Sequence, residues 1–439
     1  MLFKKTVIVS DYVMNQFHAL EQVNDIRELV VCYTVIASND KETVIRAGHL
    51  IFEYLYHKSI PDLISICEHF KQFTSLDWSI DWRNVDINVY RTFFSNKDVY
   101  SFLLILGTYH PNGYYREKCL TELKNYNEAF PFILLRLNDW VGVIKELSYK
   151  YSLDKITTAS LRELVSSLYV VDKIEKSQRR NSTHFDNIKN EILNHIILKK
   201  DLDILSLIYS FEFKTRKSIY KYILPLNILT THQINECLFR EKNSFCQLLI
   251  IRHLLQEHNL NDEQLLYYLK HKSSYIRKEA LIYKYQLVKD YWIGLEQYLL
   301  DPCYSIRDYT RFILNKHTDF NVLEFYRSSL ENRNAIYGLG ECGSFDDAKD
   351  IIPYLESDKA NTVLSSLSHL LKDKGSNIYW QYLFSDNISV SKQAYLAIKN
   401  NKIKYGAKTI YSHYLKNNIE HIKRYLFKLI FNENAWDRL

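Results

Sequence analysis

The sequence predicts an all-α protein built from repeated pairs of short helices. Three observations lead there. Glycine and proline are scarce, at 10 and 6 in 439 residues, whereas a β-rich chain of this size needs many turn residues. Apolar residues recur at three- and four-residue steps, which gathers them on one helical face. An acid or a histidine also stands six residues before a basic residue at Asp40/Arg46, His110/Arg116, Asp139/Lys145, His271/Arg277, Asp301/Arg307 and Asp386/Lys392.

These anchors step regularly. His271, Asp301, Glu331, Asp358 and Asp386 are 30, 30, 27 and 28 residues apart, and His110 precedes Asp139 by 29. A fixed period of this kind is the mark of stacked helical repeats, whose core grows in one dimension.

The elements follow in order. Residues 1–97 hold helices over Asp25–Ala37 and Asp40–Tyr56. They read as a divergent N-terminal helical cap, because a terminal repeat has one face without a neighbour. Residues 98–150 hold clear repeats: a helix opens at Asp98 and runs to Tyr109, and His110-Pro111-Asn112-Gly113 stops it. Phe130–Leu137 precedes the turn at Asn138-Asp139, after which Val141, Ile144 and Leu147 share a face. Residues 151–264 are helical but irregular, with Leu161–Asp172 and Phe185–Leu198 on either side of the polar break Ser177–His184. Repeats resume over 265–439 and end in C-terminal capping helices. There Ile276, Ala280, Leu281 and Tyr283 form one apolar face, Pro302 sits at a helix start, and Ala394, Leu396, Ala397 and Ile398 form another face.

Gly338-Leu339-Gly340-Glu341-Cys342-Gly343 matches the dinucleotide fingerprint G-x-G-x-x-G. That motif needs a buried strand before it, and the preceding segment, Glu331–Tyr337, is ENRNAIY. Ala335–Leu355 reads instead as a helix, a glycine-rich stop with Gly340 at the helix end, and a second helix. The string A-x-x-x-L-G-x-x-G at Ala335–Gly343 resembles the short HEAT-like repeat of the phycobilin-lyase type. The resemblance is firm over about 265–400 and fair over 98–150. It implies a right-handed α-solenoid, or superhelix, of two-helix repeats. It also implies that the Asp of each anchor caps the second helix and pairs with the basic residue six positions on, or with a neighbour. The function implied is a non-enzymatic scaffold holding a partner protein on its concave face, with no cofactor. Other relatives of the repeat suggest a lyase or chaperone-like subunit. A third group, the alkylpurine DNA glycosylases, engages DNA through tryptophans and an aspartate, and Trp78, Trp82 and Asp86 invite that comparison.

Catalytic and metal-binding motifs do not appear: there is no G-x-S-x-G, no H-E-x-x-H and no clustered Cys/His set. Seven scattered cysteines suit small core residues in a reducing, cytoplasmic setting, and Cys342 reads as buried near its turn. No apolar run approaches the ~18 residues of a membrane helix. The net charge is +6, distributed as −2 over 1–150, +6 over 151–290 and +2 over 291–439. The strongest local cluster is Lys392, Lys399, Lys402, Lys404, Lys408, Lys416, Lys423, Arg424 and Lys428, with one acid, Glu420, among them. Tyr395, Tyr405, Tyr411, Tyr414 and Tyr425 are interleaved. Basic residues with aromatics can hold a phosphate backbone and stack on bases, so this stretch is a candidate nucleic-acid or acidic-partner patch. The same residues also suit a solvated helix surface and interhelical packing.

Overall fold

The computed structural model describes residues 9–38, 40–73, 80–126, 128–199, 204–257 and 260–432. Every regular element among them is helical, with no strand. The chain divides into two compact units, residues 1–259 and 260–439.

The helices of the first unit are α1 (Asp11–His18), α2 (Ile26–Val35), α3 (Lys41–Leu55), α4 (Ile60–Phe70), α5 (Ile87–Tyr90), α6 (Lys97–Gly107), α7 (Gly113–Leu123), α8 (Phe130–Leu135), α9 (Gly142–Thr158), α10 (Leu161–Glu175), α11 (Ser182–Leu198), α12 (Ile204–Tyr209), α13 (Phe213–Ile223), α14 (Thr231–Arg240) and α15 (Ser244–Gln256). Here α3 packs on α6, α6 on α7, α8 on α10, α10 on α13 and α13 on α15. Asparagine serves the helix starts. Asn96, Asn112, Asn181 and Asn243 each accept a first-turn amide, one of the donors a helix leaves unpaired.

The second unit contains α16 (Asp262–Leu269), α17 (Ser274–Val288), α18 (Tyr304–His317), α19 (Val322–Ser328), α20 (Arg333–Cys342), α21 (Ala348–Ile351), α22 (Ala360–Leu370), α23 (Ser376–Leu383), α24 (Ile388–Asn400), α25 (Ala407–Lys416) and α26 (Glu420–Asn432). The first element of each pair packs on the second: α16 on α17, the 3-10 turn Leu295–Leu300 on α18, α19 on α20, α23 on α24, and α25 on α26. The second helices also pack on one another, α17 on α18, α20 on α22, α22 on α24 and α24 on α26. Their shared face is the core, with Ile306, Ile313, Ala335, Leu339, Val363, Leu367, Ala394 and Ile398 wholly or almost wholly buried.

The glycine-rich string differs from the reading as a stop. Gly338 and Gly340 lie inside α20, and the helix ends at Cys342. Neither glycine has a positive φ. What excludes a side chain is close approach. A Cβ on Gly338 would stand 2.2 Å from the Tyr326 ring, and one on Gly340 would stand 2.5 Å from Ser366 Cβ and 2.6 Å from its Cα. Ser366 Oγ then donates to Ile336 O at 2.9 Å, joining α22 to α20. Cys342 is exposed rather than buried, with its thiol turned back to donate to Gly338 O.

The anchor pairs are also wired differently. The anchor side chain accepts the amide two residues on: Asn112 N to His110 Nδ1, Val141 N to Asp139, Asn243 N to Glu241, Ser273 N to His271 and Cys303 N to Asp301. The residue six positions on donates to the anchor's carbonyl, not to its side chain. Arg116, Gln247, Arg277 and Arg307 reach His110 O, Glu241 O, His271 O and Asp301 O. The other edge of the guanidinium crosses to an acid further along. Arg116 reaches Asp139, Arg216 reaches Glu241, Arg277 reaches Asp301 and Arg307 reaches Glu341. Asp139, Glu241 and Asp301 are therefore each paired with an arginine 23, 25 and 24 residues earlier. Three of the expected pairs do not form this way. Lys145 donates to Arg179 O, Arg46 donates to Leu20 O, and Asn387 rather than Asp386 caps α24.

Candidate functional site

The basic stretch spans the end of the second unit. Lys392 and Lys399 lie on α24, Lys402 and Lys404 in the turn after it, Lys408 and Lys416 on α25, and Lys423, Arg424 and Lys428 on α26. All are exposed except Lys423, which is half-buried with its ammonium over the Tyr414 ring. None of the nine forms an ion pair among the described residues.

The structure brings only some of them together. Lys402 and Lys404 line an open cleft of about 940 Å³ with Lys372, Ser376, Asn377 and Asn400. Lys399 joins the same two lysines in an adjoining depression of about 320 Å³. Asp373 is the acid lining the larger cleft. Lys372 lies outside the stretch picked from sequence, 30 residues before Lys402. It and Lys402 occupy equivalent positions just after α22 and α24, with φ of 50° and 54°. Lys289 does the same after α17 at φ 55°. A left-handed residue commonly follows a helix end, but glycine or asparagine usually fills that place, because a Cβ there is costly. A lysine at a helix C-terminus also offsets the negative end of the helix dipole.

The interleaved tyrosines do not form a stacking platform. Tyr395 and Tyr425 are buried and stack on each other at 5.0 Å. Tyr405 donates to Ser376 O at 2.6 Å and packs on Trp380. Tyr411 and Tyr414 stack on one another across α25, and of the five only Tyr411 is exposed. The five were candidates because burial is not visible from spacing alone.

Trp78 lies outside the described residues. Trp82 is wholly buried among Tyr33, His110 and Tyr115, and the Asp86 carboxylate accepts the Asn88 amide at the start of α5. Trp82 is thus part of the core of the first unit, and the exposed Asp86 caps a helix.

A groove of about 600 Å³ lies over α18, α20 and α22, lined by Tyr304, Arg307, Tyr337, Glu341, Ser365 and His369. Its floor is an ion cluster: Glu341 accepts from Arg307 Nε at 3.2 Å and from Arg311 Nη1 at 2.7 Å. Burial disfavours the Arg311 cation, but Glu341 and Tyr326 accept its protons and hold its pKa above the ordinary arginine value. The Tyr337 ring lies 5.7 Å from the Arg307 guanidinium, and Tyr304 is 56% exposed at the rim. Sequence reasoning missed this groove. Its signal was the step Tyr304, Tyr337, His369 at 33 and 32 residues, one polar ring from each successive second helix.

Among the described residues no group of His, Cys, Asp and Glu is arranged to hold a metal, and no helix is long and apolar enough to cross a membrane. Comparison with protein-family models found no match to the chain, and comparison with curated proteins found none.

Proposed function

We propose that this chain is a non-enzymatic scaffold, a right-handed α-solenoid of HEAT-like repeats that holds a partner protein on the concave face of its second helices. The observation that carries the reading is the groove over α18, α20 and α22. It is shallow and continuous across three second helices, with a charged floor already satisfied by its own ion pairs and exposed rings at the rim. Such a surface suits an extended polypeptide better than a small substrate, which needs a deep and largely apolar pocket. Tyrosines beside arginine, here the exposed Tyr304 and the half-buried Tyr337, are also the residue types that anchor protein interfaces.

The test is capture on immobilised full-length chain from nuclease-treated native extract. The wild type should retain a defined protein, and Tyr304→Glu with Tyr337→Glu should release it. A protein retained equally by that double variant, or material lost on nuclease treatment, would sink the reading.

A second reading is a nucleic-acid-binding repeat protein, favoured by the convergence of Lys372, Lys399, Lys402 and Lys404. Gel-shift titration with single- and double-stranded DNA and RNA at two salt concentrations tests it. Phosphate contacts release counterions, so binding should weaken steeply with salt. Replacing Lys399, Lys402, Lys404 and Lys408 by Glu should weaken it alike for every sequence. No shift at micromolar protein removes this reading.

A further inference from the structure

The turn between α8 and α9 in the first unit leaves Trp140 66% exposed, an uncommon setting for an indole. Gly142, two residues on, has open space around it, and Val143 beyond it is 56% exposed. The Lys71 ammonium stands 5.9 Å from the indole ring and the Arg116 guanidinium 5.7 Å. Arg179, exposed in the loop between α10 and α11, is close enough to act on Lys71 electrostatically, as do Arg116 and Arg136. The opposing charge is Asp139.

Asp139 is already spent. It accepts from Arg116 at 3.0 Å, lies 3.6 Å from Arg136, and receives the Val141 amide. Asp301 and Glu241 each meet one guanidinium, whereas Glu341 takes two, from Arg307 and Arg311. Asp139 likewise takes two arginines, each at least nine-tenths buried, but here both keep a buried Nε–H with no protein partner. Lys71 and Arg179 then add two further cations at the surface. Partial desolvation by its neighbours and then these like charges hold the Lys71 ammonium below the usual lysine range, though the residue stands at the surface. Positive charge gathered beyond what the protein's own acids neutralise is costly unless an anion completes it.

We propose that the Trp140 turn is a binding site for a phosphoryl group, held by Lys71 and Arg179 with the buried Arg116–Arg136 pair behind them, and with Trp140 and Val143 touching the apolar part of whatever carries it. Four cations against one carboxylate leave room for a dianion. A phosphomonoester carries about −1.5 to −2 at neutral pH and offers three acceptor oxygens, where a carboxylate offers one charge and two. This site lies within the first unit and does not depend on the partner-protein reading above.

The experiment is a titration of full-length protein labelled with 5-fluorotryptophan, with the Trp140 fluorine signal assigned by its loss in Trp140→Phe. Inorganic phosphate, phenyl phosphate and benzoate are the probes. Saturable movement of the Trp140 signal by either phosphate and not by benzoate is expected. Tighter binding of phenyl phosphate assigns the group to a carrier with an apolar part, and equal binding assigns it to the free ion. Lys71→Gln and Arg179→Gln, both at exposed positions, should each weaken binding about tenfold, the worth of one charge-assisted contact. Lys71→Arg should restore it, and Lys402→Gln in the second unit should leave it unchanged. No saturable movement up to about 10 mM phosphate, a range that would reveal even millimolar affinity, overturns the proposal. So does equal response to benzoate, or binding that survives the Lys71→Gln, Arg179→Gln double variant.

Discussion

Arg277 and Asp301, 24 residues apart, meet through two parallel hydrogen bonds, Nε to Oδ2 at 2.7 Å and Nη2 to Oδ1 at 2.8 Å. The free edge of the same guanidinium holds His271 O at 2.7 Å, while Asp301 Oδ1 also accepts the Cys303 amide. Removing the acid therefore strips three contacts at once and leaves a largely buried cation. Asp301→Ala should cost about 2–4 kcal/mol, and Asp301→Asn, which keeps an acceptor for the amide, should cost less. Denaturant midpoints of the two variants check the order.

Gly340→Ala separates two accounts of one glycine. A helix-interior glycine with room around it should gain about 0.8–1 kcal/mol on becoming alanine. The approach of Ser366 leaves no such room, so the substitution should lose about 1–3 kcal/mol by overpacking. Gly142→Ala, where a Cβ meets nothing within 4 Å, is the control and should be neutral or stabilising. Equal behaviour of the two in thermal unfolding would refute the packing argument.

His271 carries a pH dependence. Its Nδ1 accepts the Ser273 amide, so the neutral ring is the one that closes the turn. Burial first, then Lys272 and Arg277, lower its pKa from the ordinary 6.5. The unfolded chain then binds the proton more readily than the folded one. The stability His271 contributes is complete above about pH 6.5 and falls as the pH drops below it. His271→Asn keeps an acceptor and removes the titration, so the difference in melting temperature between variant and wild type should change across that window. A difference that stays constant from pH 7.5 to about pH 5 would show that the ring does not act this way.

Lys402→Gly should move stability and charge in opposite directions. The backbone at φ 54° costs lysine about 1–2 kcal/mol, against the about 0.5–1 kcal/mol of chain entropy that glycine loses on folding. The variant should be more stable by roughly 0.5–1 kcal/mol. If the cleft takes polyanions, it should also elute earlier from a heparin column. Lower stability would mean that the lysine side chain makes contacts worth more than the backbone strain.

The helices and the register near residue 300 were legible because they rest on local signals: asparagine and aspartate caps, apolar spacing, and the step of about 30 between turns. What spacing could not convey was the destination of each side chain. Asp301 and Arg307 stand six apart and look like partners, yet Asp301 pairs with Arg277 and Arg307 with Glu341. Arg216 and Glu241 belong to the same scheme and escaped notice, because the carbonyl Arg216 holds is that of Phe211, an apolar residue five positions back. Gly340 looked like a helix end because its role depends on Ser366, which lies on a helix 26 residues on. The basic stretch was visible as composition, but the cleft that gathers part of it includes Lys372, 20 residues before the stretch begins.

The wiring of the turns decides how this chain could be shortened or recombined. Because each guanidinium serves the carbonyl of its own turn and an acid beyond it, the exchangeable segment does not run from turn to turn. Excising residues 271–300 would keep Asp301 and discard Arg277, orphaning a carboxylate. Excising residues 277–306, the same length, would remove both members of that pair together. It would set Arg307 six residues after His271, in Arg277's former place, with Glu341 still ahead of it. The natural cut falls inside the second helix, about one turn past its start, rather than in the loops between helices.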